Sequence, residues 1–190
     1  MKKLNSRFKS KFKFLNLLIG AVSLLLVTIL PTIAQAQLTD QSQVYIKGIG
    51  QVMVGMTVPQ ASTAANRRLV VSGGGGGSSC FYVIPEGGPS DVRFMVTEGR
   101  ISRVDISGSS RVTTSTGARI GDTEDRIKAL YPGQIQVSPH KYVPGGHYLT
   151  FVPTDRAERS YRLLFETNGN QVTKYRTGKL PEVEFVEGCA

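Results

Sequence analysis

The chain has only two cysteines, Cys80 near its middle and Cys189 one residue from its end. No other feature constrains the fold as strongly as whether these two meet. If they do, the whole second half becomes a closed loop and the C-terminus, which would otherwise fray, is tied back to residue 80. By chain-entropy arguments a loop of this size stabilises by about 4–5 kcal/mol, less any strain. An even cysteine count favours one disulfide in an oxidising compartment. The other arrangements are two free thiols or a bridge between chains.

The first 36 residues indicate that compartment. Lys2, Lys3, Arg7, Lys9, Lys11 and Lys13 form a basic start, and no acid precedes Asp40. An apolar run follows through Leu17-Leu18-Ile19 and Leu24-Leu25-Leu26-Val27 and is broken by Pro31. Ala34-Gln35-Ala36 then offers small residues where a signal peptidase reads them, so residues 1–36 are expected to be a signal peptide cleaved between Ala36 and Gln37. Phe14 to Ala34 is nearly long enough for an uncleaved anchor. Asn16, Gly20, Ser23, Thr28 and Pro31 interrupt it, and the Ala-x-Ala follows in the right place. Contact with the membrane is then expected only through this segment before cleavage, and no cysteine lies near the junction to carry a lipid. The formal charge of +9 belongs largely to the same segment. Of 23 Lys and Arg against 14 Asp and Glu, 17 bases remain beyond residue 36, leaving +3. Composition therefore gives no case for nucleic acid.

Beyond residue 36 the sequence reads as one pattern stated twice. Val54-Gly55-Met56-Thr57 leads into Val58-Pro59-Gln60-Ala61, and Ile120-Gly121-Asp122-Thr123 leads into Glu124-Asp125-Arg126-Ile127. Thr57 and Thr123 are suited to cap helices. Gln60 stands at capping-box spacing from Thr57, Pro59 fits a first turn, and Glu124 and Asp125 suit a positive helix end. The second helix is expected to stop at Pro132-Gly133. After each helix come strands and a hairpin: 81–84, then 92–96 turning at Glu98-Gly99 into 101–106; 148–152, then 161–166 turning at Asn168-Gly169 into 172–176. Alternation in 101–106 is partial and leaves the buried face open. A last strand is expected over 183–186. The expected fold class is α+β, a tandem repeat of a short helix followed by antiparallel strands. Its first unit spans 37–107, a Ser/Thr/Gly-rich connector 108–116, and its second unit 117–190 with Cys189 at its end. The five-glycine run Gly73–Gly77 is expected to be a mobile loop.

Residue types that carry chemistry are sparse. The glycine run ends in Ser78-Ser79 and lacks the Gly-Lys-Ser/Thr of a phosphate-binding loop. No serine sits in a Gly-x-Ser-x-Gly elbow. His140 and His147 flank a Pro-Gly-Gly turn, but zinc needs three or four ligands and no nearby acid is selected by spacing. No catalytic, cofactor-binding or metal-ligating residue is therefore assigned. Arg67, Arg68, Arg93, Arg100, Arg103, Arg111 and Arg119 bias the first half toward an anionic partner, yet Glu86, Asp91, Glu98 and Asp105 interleave with them.

The two helix-start motifs resemble those of small exported modules of the BamE/SmpA type. Tandem copies with a strand-borne cysteine are similar to the beta-lactamase inhibitor protein family, and the closing Val186-Glu187-Gly188-Cys189 is similar to a group of uncharacterised bacterial exported proteins. The resemblance implies a layered α+β fold that binds macromolecules through its sheet. Two departures stand against transferring partners: there is no lipidation cysteine and no Trp. The expected function is an exported, non-catalytic protein that recognises a protein or cell-envelope component without a cofactor. The alternative is a small periplasmic hydrolase or metal-binding protein using His140 and His147.

Overall fold

Glu98 and Gly99 both take positive φ, 50° and 72°. That twist lets a two-residue loop join antiparallel strands. It joins β6 (Val92–Thr97) to β7 (Arg100–Ile106), closed by the Thr97–Arg100 pair. The second expected hairpin also forms, between β11 (Tyr161–Thr167) and β12 (Val172–Lys179). Its loop is longer than an Asn-Gly turn. Asn168 Oδ1 accepts from the amides of Asn170 and Gln171 at 3.1 and 2.9 Å, and this side-chain turn takes over from the two-residue loop.

A computed structural model describes residues 36–73 and 79–189. The expected signal peptide, up to Gln35, and the glycine run from Gly74 onward lie outside the described residues. Ala36 and Gln37, either side of the expected cleavage, are both described and exposed, and burial begins at Leu38.

The expected α+β tandem is overturned. The described chain is mostly β. It has two helices only, α1 (Val58–Ala65) and α2 (Glu124–Leu130), set against an eight-stranded and a four-stranded sheet. The short sheet is built from β1 (Gln43–Tyr45), β2 (Gly48–Ile49), β3 (Val52–Met53) and β8 (Thr113–Thr114), with β8 parallel to β1. Strands of two or three residues give no period to read in the sequence. The large sheet runs β4 (Leu69–Ser72), β5 (Cys80–Pro85), β6, β7, β12, β11, β10 (His147–Phe151), β9 (Ile135–Pro139), antiparallel throughout. β7 and β12 pair directly, so the sheet is continuous across residues 108–116, which include β8. The described residues belong to one compact unit.

Both helices start where expected. Thr57 and Gln60 form the capping box, and Thr123 Oγ1 accepts the Arg126 amide at 3.2 Å. Neither helix is long enough to persist alone. Their buried Ala61, Ala64, Ala65 and Ile127 join one core with Val44, Ile49 and Val52 of the short sheet and Phe94, Val104, Phe165 and Tyr175 of the large one. Register settles the face left open by the partial alternation in β7. Val104 opposes Thr177 and Phe94 on the core side, whereas Arg103 and Asp105 point to the other side. The strand expected over 183–186 is a 3-10 turn, Glu182–Glu184, followed by irregular chain. Pro181 has no amide to extend the ladder, and the chain leaves the sheet there.

Candidate functional site

Charged side chains recur along the outer face of the central strands. Arg93 opposes Asp105, Asp105 opposes Arg176, and Lys174 opposes Glu166. On a bare sheet these would be solvated. Here Arg103, Asp105, Glu166 and Arg176 are all buried, because residues 180–189 fold back over them as a strap. The strap's far end is fixed by the Cys80–Cys189 disulfide, with Cα atoms 5.3 Å apart.

The two buried arginines donate to carbonyls of the strap's 3-10 turn and of the residue after it. Arg103 Nη1 donates to the carbonyls of Glu182 and Phe185 at 3.0 and 2.8 Å, and Arg176 Nε donates to that of Val183 at 2.6 Å. Arg103 Nε pairs with Asp105 at 3.0 Å and its Nη2 donates to the Tyr82 hydroxyl at 2.7 Å. Arg176 Nη1 pairs with Glu166, whose other oxygen takes Lys174 at 2.9 Å and His140 at 3.0 Å. Thr97 Oγ1 donates to Glu182 at 3.0 Å, and Lys141 and Tyr142 both hold Glu187. Burial alone would raise the pKa of Glu166. The adjacent Arg176 charge, with hydrogen bonds from Lys174, His140 and Arg176, outweighs it and holds the carboxyl below its ordinary value. Burial, with Asp105 nearby, raises Tyr82 and keeps it a neutral phenol.

The strap leaves a recess of about 190 Å³ against the sheet, lined by Tyr82, Arg93, Lys174, Arg176 and Glu187 among others. A larger groove of about 510 Å³ lies elsewhere, with walls from Tyr45, Met53, Tyr131 and Phe151. The Tyr131 hydroxyl there is already engaged by Thr114 and Thr116.

The two histidines do not meet. His140 sits on the strap side, stacked on Tyr148 with ring centres 4.5 Å apart. Its Nδ1 accepts from the amides of Tyr142 and Val143, so Nε2 carries the proton donated to Glu166. Both ring nitrogens are thereby occupied. His147 belongs to the core side of β10, where its Nδ1 lies 2.8 Å from Glu124. Glu124 also accepts from Thr167 Oγ1 at 2.6 Å, and its pKa is lowered. Burial alone would raise it, but the hydrogen bonds from Thr167 and His147 prevail. Among the described residues no group of three or more His, Cys, Asp or Glu could hold a metal ion.

Most of the arginine series is internally engaged. Arg67 donates to the carbonyls of Leu38 and Gly87 and Arg100 to that of Gly55, while Arg68, Arg111 and Arg119 pair with Glu86, Asp40 and Asp122. Arg93 differs, lying over the Tyr82 ring at 5.0 Å with no carboxylate partner among the described residues. Glu166, Lys174 and Arg176 are not singled out by sequence reasoning. Their signal was present, as charges alternating with Phe165 and Tyr175, but such alternation normally means a solvated face. Comparison of the chain with protein-family models, curated proteins and solved structures gives no significant match.

Proposed function

We propose that this is an exported, non-catalytic binding protein that recognises a protein or cell-envelope component through the face carrying its C-terminal strap. The observation behind this reading is the strap itself, pinned by a disulfide and by two buried arginines. Buried ion pairs add little stability relative to apolar packing of the same volume. A chain that places four charged groups under its own C-terminus gains a surface held in one shape, and preorganised surfaces bind at lower entropic cost. That surface presents Tyr142, 58% exposed, and Phe185, 40% exposed, residue types suited to interface anchors. The basic N-terminal segment and Ala34-Gln35-Ala36 support export, and the disulfide suits an oxidising compartment. Among the described residues no helix is long and apolar enough to cross a membrane.

The test is affinity capture from envelope extracts with the oxidised protein, comparing wild type with a Tyr142→Ala/Phe185→Ala variant. A defined component retained by wild type and lost by the variant is the expected result. Equal capture by both would remove the strap face from the reading, and no specific capture by either would remove the reading itself.

A further inference from the structure

The geometry points to a binding site for a small oxyanion, such as phosphate or carboxylate, in the recess between strap and sheet. This rests on the binding reading above and names the chemistry of what that face takes. Arg176 is 4% exposed, and its Nη2 is a buried donor with no partner among the described residues. Such a group is costly to leave unsatisfied, the more so when charged, and Arg176 lines the recess.

Three further donors border the same space. The Arg93 guanidinium pairs with no acid among the described residues and lies over the Tyr82 ring. The Lys174 ammonium uses one contact on Glu166 and retains further N–H groups. The Tyr82 hydroxyl accepts from Arg103, so its own proton is free to donate. The acids around the recess are already committed: Asp105 to Arg103, Glu166 to Arg176, Lys174 and His140, and Glu187 to Lys141 and Tyr142. Four cationic groups (Arg93, Arg103, Lys174, Arg176) line the recess against two acidic ones, Asp105 and Glu187. A cation is disfavoured there, and an apolar group would leave Nη2 unsatisfied. An oxyanion supplies both the charge and the acceptor atoms, and guanidinium groups recognise phosphate and carboxylate alike. At about 190 Å³ the space suits a single such group rather than a drug-sized ligand.

The experiment uses protein expressed from the full reading frame and purified oxidised. It is titrated with sodium phosphate, and separately with sodium acetate, against sodium chloride at matched ionic strength. NMR follows the amides of Val186 and Gly188 and the arginine side-chain N–H signals. Saturable shifts with phosphate or acetate beyond those with chloride are expected. Arg93→Gln and Lys174→Gln alter exposed side chains that the fold does not need, and each should weaken binding about tenfold, the value of one charge-assisted hydrogen bond. No saturable shift, or binding undiminished in both variants, overturns the inference. Vesicles containing phosphatidylglycerol test whether the anion is carried by a lipid. Their binding, if competed by free phosphate, supports the recess. Binding to vesicles alone, with free phosphate and acetate inert, overturns it in favour of surface charge. Failure here with envelope capture intact removes only the oxyanion site. Anion binding with no capture removes only the macromolecular partner.

Discussion

Glu166→Gln isolates the ionic row beneath the strap. The substitution keeps the shape and an acceptor oxygen but removes the charge on which Arg176, Lys174 and His140 converge. Lys174 is half exposed and turns to water at little cost. His140 keeps an acceptor only by taking the single amide oxygen, which turns the amide NH2 toward Arg176. The penalty therefore falls on Arg176, a buried side chain with one carbonyl at Val183 and an Nη2 that has no partner among the described residues. Breaking a buried pair from one side costs about 3–5 kcal/mol, and a side chain of the same shape, which leaves no cavity, puts the expectation near the lower bound, about 3 kcal/mol. Against a typical total of about 5–15 kcal/mol this is a large fraction. Urea unfolding of the oxidised protein at pH 7 measures it. A loss under about 1 kcal/mol would refute the claim that Arg176 depends on Glu166. Glu166→Leu combined with Arg176→Met should recover most of the loss, because no charge is then left buried alone. The pH dependence has a fixed sign. Since the folded pKa of Glu166 is depressed, its contribution is complete above the ordinary carboxylate range and is lost as pH falls through the folded value. Wild type should therefore lose more stability below about pH 4 than Glu166→Gln does.

Cys189→Ser releases the strap and should cost up to about 4–5 kcal/mol in urea unfolding, with faster amide exchange over 182–188; unchanged exchange would mean the arginines alone hold it. Gly178→Ala would place a Cβ 2.6 Å from the Ser102 carbonyl oxygen and 2.9 Å from Arg103 Cα, both rigid backbone at the β7–β12 seam. It should destabilise by about 1–3 kcal/mol, and a neutral result would contradict so close an approach. Thr57→Ala removes the hydroxyl of the capping box and should cost about 1 kcal/mol by thermal unfolding.

Local signals carried the local structure. Thr57 with Gln60, Thr123 with two acids behind it, and Glu98-Gly99 act over three or four residues, and each did what its chemistry requires. The runs 92–96, 101–106, 161–166 and 172–176 were legible, each inside an observed strand, because strand-length apolar patterns bounded by turn residues are self-announcing. The cysteine pairing was also legible, since an even count left few arrangements open. Helix-then-strand order was over-read: two short helices told nothing of how many brief strands would pair around them.

The sequence by itself indicated where the hairpins lie and where helices begin, and it favoured the Cys80–Cys189 disulfide that the structure forms. Only the tertiary structure decided which charges matter. Glu166 and Arg176 occupy positions that alternation assigns to solvent, and they are drawn under cover by a segment closing from residues 180–189, with Lys174 half exposed beside them. Burial at those positions depends on a contact between parts of the chain far apart in sequence, and no window of neighbouring residues encodes it.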